Sequence, residues 1–68
     1  MKMLIKLTKS AKDSGEKSDA AVNPRYVTSA IYVPEFGLTA VNMYNQPTIW
    51  VLESPEEIAQ DIWESENG

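Results

Sequence analysis

The chain contains no cysteine and no histidine. Without a thiol there is no disulfide and no thiolate metal site. Loss of imidazole as well removes the usual ligands of zinc and of most transition metals. Serine–histidine triads, thiol nucleophiles and imidazole relays are excluded on the same count. The lack of cysteine also suits a reducing compartment. Glycine occurs only at 15, 37 and 68, too scattered to build a loop that cradles phosphate. No apolar run approaches the roughly 20 residues that span a bilayer. Lysines interrupt the opening Met1-Lys2-Met3-Leu4-Ile5-Lys6-Leu7, unlike the unbroken core of a signal peptide. The expectation is a soluble cytoplasmic protein with no membrane segment.

Basic charge is missing from most of the chain. Lys2, Lys6, Lys9, Lys12, Lys17 and Arg25 are its only basic residues, and none follows Arg25. The first 25 residues hold six basic against three acidic side chains, for +3, while the remainder carries seven acids and a charge of −7. An acidic C-terminal half repels phosphate and argues against an extended nucleic-acid surface.

At 68 residues the sequence reads as one domain, 1–68, near the size at which a single core is marginal. With disulfides and structural zinc excluded, oligomerisation or docking on a partner is the remaining device.

The fold reads as α+β: a small antiparallel β-sheet of four or five strands, a meander or barrel-like, with one C-terminal α-helix. Residues 2–8 alternate with a period of two, placing Met3, Ile5 and Leu7 on one face. The polar stretch 9–19 has no large apolar side chain and reads as a mobile loop. Residues 20–22 form a short strand ending at Asn23-Pro24, where a turn or single helical turn is expected. Further strands are read at 27–33, 38–44 and 48–53, joined by Pro34-Glu35-Phe36-Gly37 and by Asn45-Gln46. Pro47 is tolerable at the start of the last strand. Glu53, inward by parity, is expected to bond a backbone donor or Arg25.

The strand 48–53 runs directly into an amphipathic helix over about 55–64. Ser54 is its N-cap, Pro55 its first residue and Glu57 the returning acid of a capping box. Ile58, Ala59, Ile62 and Trp63 make its apolar stripe. Fraying is expected past Trp63, leaving a tail at about 65–68.

Parity assigns Met3, Ile5, Leu7, Ile31, Val33, Val41, Met43, Ile49 and Val51 to the face under the helix. The other face keeps Leu4, Tyr32, Leu38, Tyr44, Trp50 and Leu52. A helix of about ten residues cannot cover both faces. Either the outer face is buried against another copy or a partner, or strong curling of the sheet scatters these side chains. Leu4, Tyr32, Tyr44, Trp50 and Leu52 are the expected interface residues, since aromatic side chains are typical anchors between proteins.

Catalytic and metal chemistry find little support. Glu53, Glu56 and Glu57 are close in sequence, but the helix start accounts for the last two, and no glycine-bearing ligand loop accompanies them. No metal and no cofactor are expected, and the chain reads as a non-enzyme. Trp50, Tyr32 and Tyr44 could stack on bases, yet the lysines lie only in the first strand and the polar loop. Nucleic acid is therefore disfavoured as a partner.

Three segments carry a family resemblance: Met3-Leu-Ile-Lys-Leu-Thr8, Val22-Asn-Pro-Arg-Tyr-Val27 and Thr48-Ile-Trp-Val-Leu-Glu-Ser-Pro-Glu-Glu-Ile58. Together they resemble the small FlbD-type proteins, a family associated with flagellar and swarming motility that has many uncharacterised relatives. Asn23, Glu53, Ser54 and Glu57 are the best-matched residues. The long polar segment 9–19, where the family tends to have a tight glycine turn, and the tryptophans at 50 and 63 are departures. The resemblance implies either that family or a relative on the same scaffold, and no catalytic residue.

The expected function is a non-enzymatic protein-interaction module, a self-associating small adaptor or regulator. One alternative is a nucleic-acid-linked regulator using the basic N-terminal part. Another is an acidic decoy or inhibitor, from a phage or mobile element, presenting Glu56, Glu57, Asp61 and Glu64 to a basic protein.

Overall fold

A computed structural model describes residues 4–67. Five strands form one antiparallel sheet, followed by a single α-helix: β1 Ile5–Ser10, β2 Lys17–Val22, β3 Val27–Val33, β4 Leu38–Met43, β5 Gln46–Val51 and α1 Pro55–Asn67. The strand order is β2-β1-β5-β4-β3. The chain therefore makes three hairpins, and β5 returns to pair with β1. Lys2 and Met3, both expected in the first strand and only Met3 on its inner face, lie outside the described residues, as does Gly68.

The first hairpin corrects the sequence reading. The stretch 9–19 is not one loop: Lys9 pairs with Ser18 and Ser10 with Lys17. Only residues 11–16 turn, closed by Ala11 N–H donating to Glu16 C=O at 2.9 Å and Gly15 N–H to Ala11 C=O at 2.9 Å. Gly15 takes a φ of 71°, where a Cβ is disfavoured. Backbone pairing asks for no large apolar side chain, which is why composition hid it. From Val22 the chain turns through a 3-10 helix, Pro24–Tyr26, capped by Asn23 Oδ1 accepting from Arg25 N–H at 3.0 Å. This is the single helical turn expected after Asn23-Pro24.

Two bulges set which face each side chain takes. Val27 stands opposite Met43 but Ser29 opposite Asn42, making Thr28 an extra residue in β3. Its hydroxyl donates to Asn42 C=O at 3.1 Å. A slip of one residue exchanges the two faces of a strand. Ala30 therefore packs against the core, whereas Ile31, assigned inward by simple alternation, is 55% exposed. Val33 moves with Ile31. The second irregularity lies in β5, where Val41 faces Ile49 but Met43 faces Gln46. The extra residue falls in the stretch holding Pro47. Pro47 is tolerated there because the bulge has no ladder bond to lose and β1 pairs with β5 only further along, at Val51. Tyr44, expected in the fourth strand, instead sits with Asn45 in the β4–β5 turn, and Asn45 adopts a φ of 58°.

The main core joins Ile5, Leu7, Val22, Val41, Met43 and Val51 to Ile58 of the helix. Burying one such side chain stabilises by about 1.5–3 kcal/mol. The helix packs against β1 and β3. Its start is the expected capping box: Glu57 N–H donates to Ser54 Oγ at 3.1 Å and Ser54 N–H to Glu57 Oε1 at 3.2 Å. Its end runs past the expected stop at 64, to Asn67. Ser65 is buried with its hydroxyl donating to Ile62 C=O at 2.7 Å, and Asn67 Nδ2 donates to Trp63 C=O at 2.9 Å. The apolar stripe narrows to Ile58 and Ile62, while Ala59 is exposed and Trp63 is 61% exposed.

Candidate functional site

Directly opposed residues on paired strands share a face. Ile31 opposes Ala40, and Ala40 opposes Trp50, so this row lies on the face turned away from the helix. A polar row runs beside it: Asn42 Nδ2 donates to Ser29 Oγ at 2.8 Å, and Thr48 Oγ1 donates to Asn42 Oδ1 at 2.7 Å. These bonds tie β3, β4 and β5 together across their outer surface.

The same face carries a second, smaller apolar centre. Leu38, expected to be exposed, is only 5% exposed and Ala40 only 8%, although the helix lies on the other side. The chain's own turns fold over this face. Phe36, from the β3–β4 turn, stands edge-on to Trp50 with centroids 5.4 Å apart and planes at 81°. Lys12, from the β1–β2 turn, places its ammonium 4.5 Å from the Trp50 ring centre and 5.2 Å from that of Phe36. Edge-to-face aromatic pairs and cation–π contacts of this geometry each contribute on the order of 0.5–1 kcal/mol at exposed sites. Coverage by the chain's own turns thus takes up part of the outer face, and Trp50 is half-buried rather than a free anchor.

Beside Trp50 runs an open groove of about 550 Å³, whose walls include Lys9, Lys17, Glu16, Thr48 and Ile49. Lys6 is engaged elsewhere, 3.9 Å from Asp19 on the exposed surface.

The expected interface residues do not form one surface. Trp50 lies at the aromatic–lysine cluster, and Leu52 follows β5 with its N–H donating to Thr8 C=O at 2.9 Å. Tyr32 opposes Thr39 and so lies on the helix side, flipped there by the Thr28 bulge, yet it is 51% exposed. Tyr44 sits at the β4–β5 turn, its N–H donating to Tyr26 C=O at 2.7 Å, and Leu4 precedes β1. All but Trp50 are exposed.

Sequence reasoning missed Phe36 and Ile31 as outer-face residues, and it read Lys12 only as a basic residue of the polar loop that could meet phosphate, not as a neighbour of Trp50. Phe36 left one signal, a large aromatic in a turn where polar residues are usual. Lys12 left none, because its neighbour is brought in by β1–β5 pairing.

Of the carboxylates grouped in sequence, Glu53 accepts from Thr8 N–H through both oxygens, at 2.9 and 3.0 Å, and Glu57 is held by the cap. Among the described residues no three acidic side chains converge as metal ligands. No helix among them is long and apolar enough to cross a membrane.

No known protein family, curated protein or solved structure matches this chain.

Proposed function

We propose that the chain is a non-enzymatic protein-interaction module that associates with itself and serves as a small adaptor or regulator. The observation that carries this reading is the exposure of eight large apolar side chains among the described residues of so small a chain. Two of them, Ile31 and Tyr32, stand on β3; Phe36 and Tyr44 are in turns, Tyr26 in the 3-10 helix, Leu4 and Leu52 beside strand ends, and Trp63 on the helix. Aromatic side chains are the usual anchors of protein contacts. A place among FlbD-like motility proteins, or their relatives, belongs to the same proposal and rests on the three segments that resemble them.

The test is absolute mass by light scattering across protein concentration, at low and high salt. A salt-insensitive dimer or larger species is expected, weakened by Tyr44→Ala, since Tyr44 is 66% exposed. A protein that stays monomeric to about millimolar concentration overturns self-association.

A second reading is favoured by one arrangement. Lys9, Lys12 and Lys17 surround Trp50, a combination that suits stacking on a base with phosphate held alongside. Lys12 already covers the indole, so a base would have to displace it. Binding of single-stranded oligonucleotides that falls steeply with salt would support this reading, and absence of binding at low salt removes it.

A further inference from the structure

The chain carries a net charge of −4, yet one part of its surface is basic. The groove of about 550 Å³ beside Trp50 has Lys9 and Lys17 in its walls, and Lys12 stands 4.5 Å over the Trp50 ring. Pairing of β1 with β2 gathers the three lysines: Lys9 opposes Ser18, the neighbour of Lys17, and the turn between the strands carries Lys12. Among the described residues the one ion pair is Lys6–Asp19, so none of these three ammonium groups has a carboxylate within 4.0 Å. Glu16 is the one acid among the lining residues.

We propose that this groove receives an extended acidic segment of a partner protein, with carboxylates on either side of an apolar residue. The proposal rests on the interaction-module reading above and names the chemistry of the partner. The carboxylates meet Lys9 and Lys17, and the apolar side chain rests on Pro47 and Ile49, which line the same groove. The volume falls within the roughly 300–1,000 Å³ of ordinary ligand sites, room for a few residues of an extended chain. Opposite charge steers such a segment in, and the same lysines turn basic segments away.

Two features favour carboxylates over a phosphate backbone. Lys12 already covers the Trp50 ring and Phe36 stands edge-on against it, so the indole is not free for a base to stack on. Glu16 in the wall, together with the seven acids that follow Arg25, opposes a continuous run of phosphates. A few spaced carboxylates can meet the lysines and avoid Glu16. Because the contact is between charges at the surface it weakens as salt rises, unlike the apolar self-association proposed above.

The test is calorimetric titration of the full chain at about 0.1 M salt, where charges more than about 10 Å apart are largely screened. The probe is an end-blocked peptide, Glu-Glu-Leu-Glu-Glu, compared with its all-Gln counterpart and with a short oligothymidylate. The Glu peptide is expected to bind, and to bind about tenfold or more weakly when its Glu are replaced by Gln or when the protein carries Lys9→Glu with Lys17→Glu, both at exposed positions. Lys6→Glu with Arg25→Glu makes the same change in net charge away from the groove and is expected to leave binding within about twofold. No binding of the Glu peptide, or equal weakening by the two pairs of substitutions, overturns the proposal. Tighter binding of the oligothymidylate overturns it in favour of the nucleic-acid reading. The mass of the unliganded protein, measured alongside, separates this contact from self-association. A monomer that binds the peptide supports the groove and removes self-association, whereas a dimer that ignores the peptide removes the groove alone. A salt-sensitive dimer lost with Lys9→Glu and Lys17→Glu would seat the acidic helix of a second copy in the groove, and so also counts against the proposal.

Discussion

The carboxylate of Glu53 stands where a strand carbonyl would be, both of its oxygens accepting from the N–H of Thr8 at 2.9 and 3.0 Å. Thr8 C=O accepts from Leu52 N–H at 2.9 Å, so the backbone of Thr8 faces β5 with both its groups. Beyond Lys9 and Val51 the two strands no longer pair, because the chain leaves the sheet to enter the helix. The side chain of Glu53 completes the ladder at the point where the backbone departs. It thereby links the strand–helix junction to the first strand.

Removing that carboxylate leaves a part-buried N–H without its partner. Glu53→Ala is expected to lower unfolding free energy by about 1.5–3 kcal/mol, the range for hydrogen bonds to charged groups. Glu53→Gln keeps an acceptor oxygen and should lose clearly less. Urea denaturation of the three proteins measures this ordering. Equal losses for the two variants would show that charge, and not the hydrogen bond, matters at this junction.

One residue on, the capping box ties Ser54 and Glu57 reciprocally. Ser54→Ala is expected to cost about 1 kcal/mol. Because the two bonds form one motif, Ser54→Ala combined with Glu57→Ala should cost less than the sum of the single changes. A double-mutant cycle followed by helical circular dichroism and urea checks this. Strict additivity would mean that the two bonds act independently.

What could be read from the sequence was what neighbouring residues decide. Val27–Val33 was bounded correctly by alternation and by proline, and Ser54, Pro55 and Glu57 announced their helix through the spacing of a local motif. The same holds for the single helical turn at Asn23-Pro24. The errors were non-local. The Thr28 bulge exists because β3 must match β4, and nothing in Val27-Thr28-Ser29 reveals it, so Ile31 and Val33 were sent to the wrong face. The hairpin through Gly15 depends on backbone pairing that side-chain composition does not report. Lys12, Phe36 and Trp50 come from three different parts of the chain, and only the folded sheet brings them together.

Thr39 presents a buried hydroxyl, its Oγ1 having no hydrogen-bond partner among the described residues. It sits in β4 between Tyr32 and the fully buried Val51. A buried hydroxyl left unpaired carries a desolvation cost of about 1–3 kcal/mol. Thr39→Val keeps the β-branched shape and removes the polar atom, so unfolding free energy should rise by about 1 kcal/mol. A higher urea midpoint with an unchanged denaturant slope is the expected result. A fall in midpoint would imply that the hydroxyl has a partner after all, such as an ordered water.

Lys12 is the lid of the aromatic cluster, and its removal should uncover Trp50 without unfolding the sheet. Trp63 is 61% exposed and would dominate any fluorescence signal, so Trp63→Phe is needed to leave Trp50 as the sole indole. In that background Lys12→Gln is expected to raise the acrylamide quenching constant of Trp50, while stability falls by only about 0.5–1 kcal/mol. A neutral quencher matters, because an anionic one would be drawn to Lys12 and blur the comparison. Phe36→Ala should raise quenching further, since it removes the edge contact at 5.4 Å together with the apolar cover it provides. Quenching left unchanged by both substitutions would mean that neither turn rests on the indole in solution. The outer face would then be as open as its apolar composition first suggested.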